Sequence, residues 1–224
     1  MSRFWIQAWT IARRDLLVEG RSRETVAVVV PFAAAAVFVV PFATDALDVR
    51  LATIAFPVYW LVGLLFGMQV ALRQTAVESL AQRRQLALLG TDPVARFTGR
   101  VASAAVLILV VLVVTAPLIF LFYDPDPIAR PWPMTGVLVL FAAGMAMLST
   151  LAGDITTGLA TRTSLAPLLV VPVSVPLLLG AAQSLESLVR GRTTLPWVLT
   201  LVVTDLALAL TGVMTARSLE ESNT

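Results

Sequence analysis

Cysteine, histidine and lysine are all missing from this chain of 224 residues. Without thiols or imidazoles it has no disulfides, no thiol nucleophile, no histidine base and none of the usual zinc ligands. Charge of either sign is scarce as well: 13% of residues are charged, against roughly a quarter in soluble domains. The basic side is arginine alone, 16 residues against 14 acidic ones. That small excess reads as orientation charge beside a membrane rather than as affinity for nucleic acid. No GxxxxGK[ST] phosphate loop occurs anywhere, so the chain carries no nucleotide site of that kind.

What is abundant is apolar sequence, 58% of the residues. A bilayer core of about 30 Å takes roughly 20 apolar residues to cross as a helix. Six runs meet that length, at about 25–43, 52–72, 101–122, 134–153, 164–185 and 195–215. The expectation is an all-α membrane protein with one six-helix transmembrane domain over 24–217, an N-terminal helix over 1–23 and a short tail over 218–224. The first apolar run begins too late for a cleaved signal, so the N-terminus is read as retained. Arginines orient the spans: segments 1–23 and 73–100, with Arg162 and Arg217, hold twelve, and the alternate side holds four. Both termini are therefore expected in the cytoplasm. Tyr123, Trp132 and Trp197 fall at the expected outer boundary, where amphipathic rings prefer to sit.

The N-terminal segment repeats at helical spacing. Trp5, Ala8, Trp9, Ala12 and Leu16 form one stripe, and Arg3, Gln7, Thr10 and Arg14 the opposite one. That pattern suits a helix in the membrane interface, ended by Gly20 and the charged run 21–24. It serves equally as a fixed anchor or as an elbow that moves. The long loop 73–100 contains a second short helix at 76–89. Val77, Leu80, Ala81 and Leu88 lie on one side, Glu78, Arg83, Arg84 and Gln85 supply polar surface, and Gly90 with Asp92-Pro93 stops it. Taken by charge and period alone, it connects two spans or docks another protein, with connection the simpler reading.

Inside the spans, Pro167, Pro172 and Pro176 cluster in the fifth run and suggest a hinge or flexible wall of a substrate path, although transmembrane helices tolerate proline in general. Gly63 and Gly67 form a GxxxG step for close helix packing, more simply within the chain than between chains. Asp205 lies midway in the sixth run and faces protein or water, as an ion site or as a carboxyl locking helices through Thr204 or an arginine of another span. Asp154 belongs near a membrane boundary. Met68, Met145, Met147, Met214, Tyr59 and Tyr123 are the remaining haem-ligand types, and methionine in a membrane helix is ordinarily packing. No resident cofactor or metal is expected.

Several stretches resemble one family, the haem exporter protein B (CcmB-type) permeases of cytochrome c maturation. Pro31-Phe32 and Val40-Pro41-Phe42 look like its two Pro/Phe stretches. ESLAQRRQLALLGTDPVARFTGR, 78–100, is similar to its E-x-L-x-x-L-L-L-x-P run and following Gly-Lys. SLAPLLVVPVSVPLLLGAAQS, 164–184, matches its L-x-L-P-L-x-I-P-L-L-I-F stretch through Leu169, Pro172, Pro176 and 177–179. The departures are Ala76-Val77 in place of an acidic-Gly pair, Arg83-Arg84 inside the loop helix, Gly99-Arg100 for Gly-Lys, and fewer glycines in the fourth and fifth spans.

The resemblance implies an ABC-2-like exporter permease in the bacterial inner membrane, itself non-catalytic. A separate cytoplasmic ABC ATPase would hold ATP-Mg, and 76–90 would be the coupling helix resting on it, through Glu78, Leu80, Arg83, Arg84, Gln85 and Leu88. It implies a second permease copy, a haem-handling membrane subunit and a haem chaperone as partners, with the lipid bilayer around them and no nucleic acid. Haem is then a transient cargo, or ATP powers release of a haem-loaded chaperone, which the lack of histidine and cysteine favours. The alternatives are an ABC exporter of a lipid or drug, an ion-coupled carrier using Asp205 and Asp154, and a structural scaffold.

Overall fold

The computed structural model describes residues 2–23, 25–43, 51–77, 91–128, 131–156 and 165–221. Its elements are α1 (Ser2–Ser22), a π-helical turn (Thr25–Val29), α2 (Val30–Ala43), α3 (Leu51–Val77), α4 (Pro93–Tyr123), α5 (Trp132–Thr156), α6 (Leu165–Val189) and α7 (Leu195–Glu221). Every regular element among the described residues is helical. That is the expected answer to a solvent that cannot satisfy backbone amides.

Five helices, α3 to α7, are each long and apolar enough to span a membrane. The first expected span is different. α2 alone has 14 residues; with the five-residue π-helical turn before it the helical stretch covers 25–43, and it meets α1 at a bend of 51°. The bend has two local causes. Arg23 adopts φ 53°, left-handed backbone that ends α1 three residues after Gly20, which stays inside the helix. The π-helical turn then precedes Pro31, whose ring nitrogen cannot donate to the previous turn. The run expected at 25–43 is thus built as the turn plus α2, and the long apolar helices number five, or six with the bent pair counted as one span.

α5 is the axis of the bundle. It packs against α3, α4, α6 and α7, and 72% of its spanning window is buried, against 22% for α7. α2 lies on α3 and α4, and α1 lies on α4. Glycines make several close helix approaches. A Cβ at Gly63 would stand 2.7 Å from Leu112 Cδ2 and 3.3 Å from Phe141 Cε1, and one at Gly67 would meet Ile108 at 3.4 Å. The GxxxG face of α3 is thus used within the chain, against α4 and α5. Trp60 and Phe141 meet edge to face beside it, at 4.9 Å between ring centroids.

Two tyrosines tie helices together through their hydroxyls. Tyr59 donates to the Leu112 carbonyl at 3.1 Å, and Tyr123 to the Val37 carbonyl at 2.9 Å. Tyr123, the last residue of α4, is thus a buried link to α2, whereas Trp132 is exposed and Trp197 half-buried. α6 and α7 form a tight hairpin. Gly191 at φ 65° closes α6, and Arg192 N–H donates back to the Ser187 carbonyl at 2.8 Å. Outward faces are apolar, as on α7, where Leu195, Leu199, Val203, Leu206, Leu210 and Met214 are all exposed at helical spacing.

Candidate functional site

α4 has 31 residues, about 46 Å at 1.5 Å per residue, so it outruns a hydrocarbon core of about 30 Å. Its continuous apolar stretch starts at Val101, and residues 93–100 form a polar foot. The foot begins cleanly. Asp92 caps it by accepting a hydrogen bond from Val94 N–H at 2.9 Å, and Pro93 sits in the first turn, where no donor is needed.

Three neighbours grip this foot from three sides. Gly99 faces α1: a Cβ there would stand 2.6 Å from the Ala8 carbonyl oxygen and 2.9 Å from Ile11 Cβ. Arg100 faces α5, where its Nη1 donates to Asp154 Oδ1 at 2.8 Å. Phe97 faces α7, its ring lying on Gly212 so closely that a Cβ would collide with it. Positions 97, 99 and 100 point in three directions because successive residues turn about 100° around a helix.

The Arg100–Asp154 pair is largely buried, the side chains being 7% and 17% exposed. A pair this dry is unhelpful as net stabilisation but very costly to break, because the survivor is left as a buried charge. It was the missed residue pair. Asp154 reads from sequence as merely interfacial, and the one hint was the basic residue after Gly99. An arginine of another span does bind a carboxylate in this bundle, but the carboxylate is Asp154 and not Asp205.

Further along the bundle, Asp205 of α7 is 8% exposed and stands against Gly144 of α5 and Leu177 of α6. Its Oδ1 has no hydrogen-bond partner among the described residues, and Thr204 Oγ1 donates to the Thr200 carbonyl instead. Pro172 is exposed on the outer face of α6 with Val175 and Leu179, Pro176 is half-buried, and Pro167 lies in the first turn of that helix. A shallow apolar cleft lined by Phe56, Tyr59, Ala116, Ile119, Phe120 and Met134 lies where α3, α4 and α5 meet, and it has no room for a water-sized molecule. Among the described residues, no three acidic side chains are placed to hold a metal ion.

The foot of α4 directly follows segment 78–90. That segment, with Glu78, Leu80, Arg83, Arg84, Gln85 and Leu88, lies outside the described residues. Ala76 and Val77, expected to open a separate helix, instead continue α3 to Val77.

The family model of the CcmB protein matches residues 6–222. The chain belongs to the CcmB family. Membership covers nearly every helix, including α1 from Ile6 onward, and makes the chain a multi-pass membrane permease of the haem-export system in cytochrome c maturation. No curated protein matches in a direct sequence comparison. The CcmB match includes the foot of α4, both members of the Arg100–Asp154 pair and the whole of α5, so the gripped foot is part of the family domain and not an appendage.

Proposed function

We propose that this chain is the non-catalytic permease half of an ATP-binding cassette assembly. In that assembly a separate ATPase binds ATP-Mg and acts on segment 78–90, in which Glu78, Leu80, Arg83, Arg84, Gln85 and Leu88 form the contact. The observation that carries this reading is the braced foot of α4. A segment that ends at a capped helix held by α1, α5 and α7 transmits a push to three neighbouring helices at once. On this reading the α1 end faces the cytoplasm of a bacterium, in agreement with its arginines. Two permeases work with two ATPases, beside a haem-handling membrane subunit and a haem chaperone. Haem is a transient cargo; with no histidine or cysteine to hold it axially, ATP is best spent on releasing the haem-loaded chaperone.

The test is to purify the chain from membranes with whatever accompanies it, and to delete it. The expected result is a co-purifying ATPase and loss of c-type cytochromes. Purification without any ATPase ends the proposal, and intact cytochromes in the deletion strain point to a lipid or drug exporter of the same architecture.

One observation favours a second reading, an ion-coupled carrier: the buried, unpartnered oxygen of Asp205. Asp205→Asn abolishes delivery by such a carrier and leaves the ATP-driven assembly largely working, so measuring cytochrome maturation in that variant separates them.

A further inference from the structure

α1 carries three faces where an ordinary amphipathic helix has two. Ala8 and Ala12 are buried against α4. Trp5 and Trp9, from the same sequence stripe, are 59% and 68% exposed beside Ile6 and Leu17. Arg3, Arg14 and Arg21 are exposed on the remaining side. A helix with one apolar face on protein and another open is held in the plane of the membrane by lipid while it grips the bundle.

The grip falls at one of the two points where segment 78–90 joins the spans, the start of α4. Gln7 Oε1 accepts a hydrogen bond from the Asp92 N–H at 3.3 Å, and Asp92 is the residue that caps α4. Two turns further on, the Ala8 carbonyl and Ile11 rest on the bare backbone of Gly99. From there Arg100 reaches Asp154 of the central helix.

We propose that Gln7 and Gly99 are positioning residues of a clasp between α1 and α4. The clasp makes α1 a membrane-held pivot, so that displacement of segment 78–90 tilts α4, and with it α5, instead of sliding the loop over the bundle. This rests on the reading of 78–90 as the ATPase contact. The fit at Gly99 has no slack: any side chain there meets α1 backbone, which cannot rotate away as a flexible side chain would. Loosening the clasp separates ATP turnover from delivery.

The experiment uses the full chain assembled with its ATPase in membranes. It compares ATP hydrolysis with the c-type cytochrome matured per ATP in Gln7→Ala, Gly99→Ala, Arg84→Ala and Gly136→Ala. Gly136 stands in open space and serves as the control. Gln7→Ala and Gly99→Ala are expected to keep hydrolysing ATP while yield per ATP falls about fivefold or more, the low end of an ordinary coupling energy. Arg84→Ala should do the same and Gly136→Ala neither. If Arg84→Ala uncouples and both clasp variants keep the wild-type ratio, the clasp is overturned and the ATPase contact stands. If Arg84→Ala also keeps the ratio, the reading of 78–90 fails and takes the clasp with it. A purely structural role lowers assembly and hydrolysis together at constant ratio, and that outcome also overturns the proposal. Should Gly99→Ala fail to assemble, Gln7→Ala decides alone, since it removes one hydrogen bond from a half-exposed side chain.

Discussion

The bundle is joined differently at its two levels. Around the foot of α4 polar junctions are added to the glycine contacts at Gly99 and Gly212: a buried guanidinium–carboxylate pair, a capped helix start and an amide hydrogen bond from Asp92 to α1. At mid-depth the junctions are made mainly by shape. Gly63 admits Leu112, Gly144 admits Asp205 and Leu177, Gly180 admits Leu201, and Trp60 rests on Phe141. Both levels bring helices close, but for different reasons. Lipid tails are as apolar as leucine, so mid-membrane contacts draw little on hydrophobicity and depend on backbone proximity. At the foot, charge adds a lock: the buried Arg100–Asp154 pair is costly to break, so α4 and α5 are held together there.

The largest expected effect probes the polar level. Arg100→Ala strands the Asp154 carboxylate and should cost about 3–5 kcal/mol of stability in detergent unfolding, with most of it recovered in the double variant Arg100→Ala/Asp154→Ala. Costs that simply add would show that the two residues act separately. Next comes the shape level, where Gly144→Val overfills the α5–α6–α7 junction and should cost about 1–3 kcal/mol. Trimming Leu177 to valine relieves part of that cost and a change of charge does not. If Asp154→Ala rescued Gly144→Val, the division into two levels would fall.

A smaller effect belongs to the hydroxyl links. Tyr59→Phe removes the bond to the Leu112 carbonyl and should lower stability by about 1 kcal/mol, read from the same unfolding curves. The smallest is Gly20→Ala, on an open face of α1, expected to raise stability by about 0.5–1 kcal/mol through helix propensity alone. A large loss there would mean that α1 is packed on more sides than α4 alone.

Much of this was legible in the residues. Hydropathy located one end of each of α3 to α7 to within a few positions, because a bilayer imposes one length on every crossing. For the first span it gave 25–43, which the structure builds as the π-helical turn plus α2; what it did not show is the 51° bend towards α1 at the left-handed Arg23, which leaves no compositional trace. It also placed the start of a loop helix at 76, where α3 simply continues; amphipathic spacing cannot tell an extension from a new helix. The helical stripe of α1 was visible, but its division was not. Ala8 turns to protein and Trp9 to the outside although they are adjacent, and only the approach of α4 separates them. Asp154 and Asp205 show the same limit: two acids in apolar helices look alike in sequence, yet one meets Arg100 and the other a glycine.

By itself, then, the sequence determined the class, the number and near-limits of the long helices, the absence of any thiol, imidazole or phosphate-loop chemistry, and the likeness to a haem-export permease. These follow from composition and period, which are local properties. The tertiary structure decided that α1 belongs to α4, that Arg100 chooses Asp154, and that the foot of α4 is gripped on three sides. Those outcomes depend on which helices become neighbours, and in a bilayer the fit of one backbone against another settles that choice.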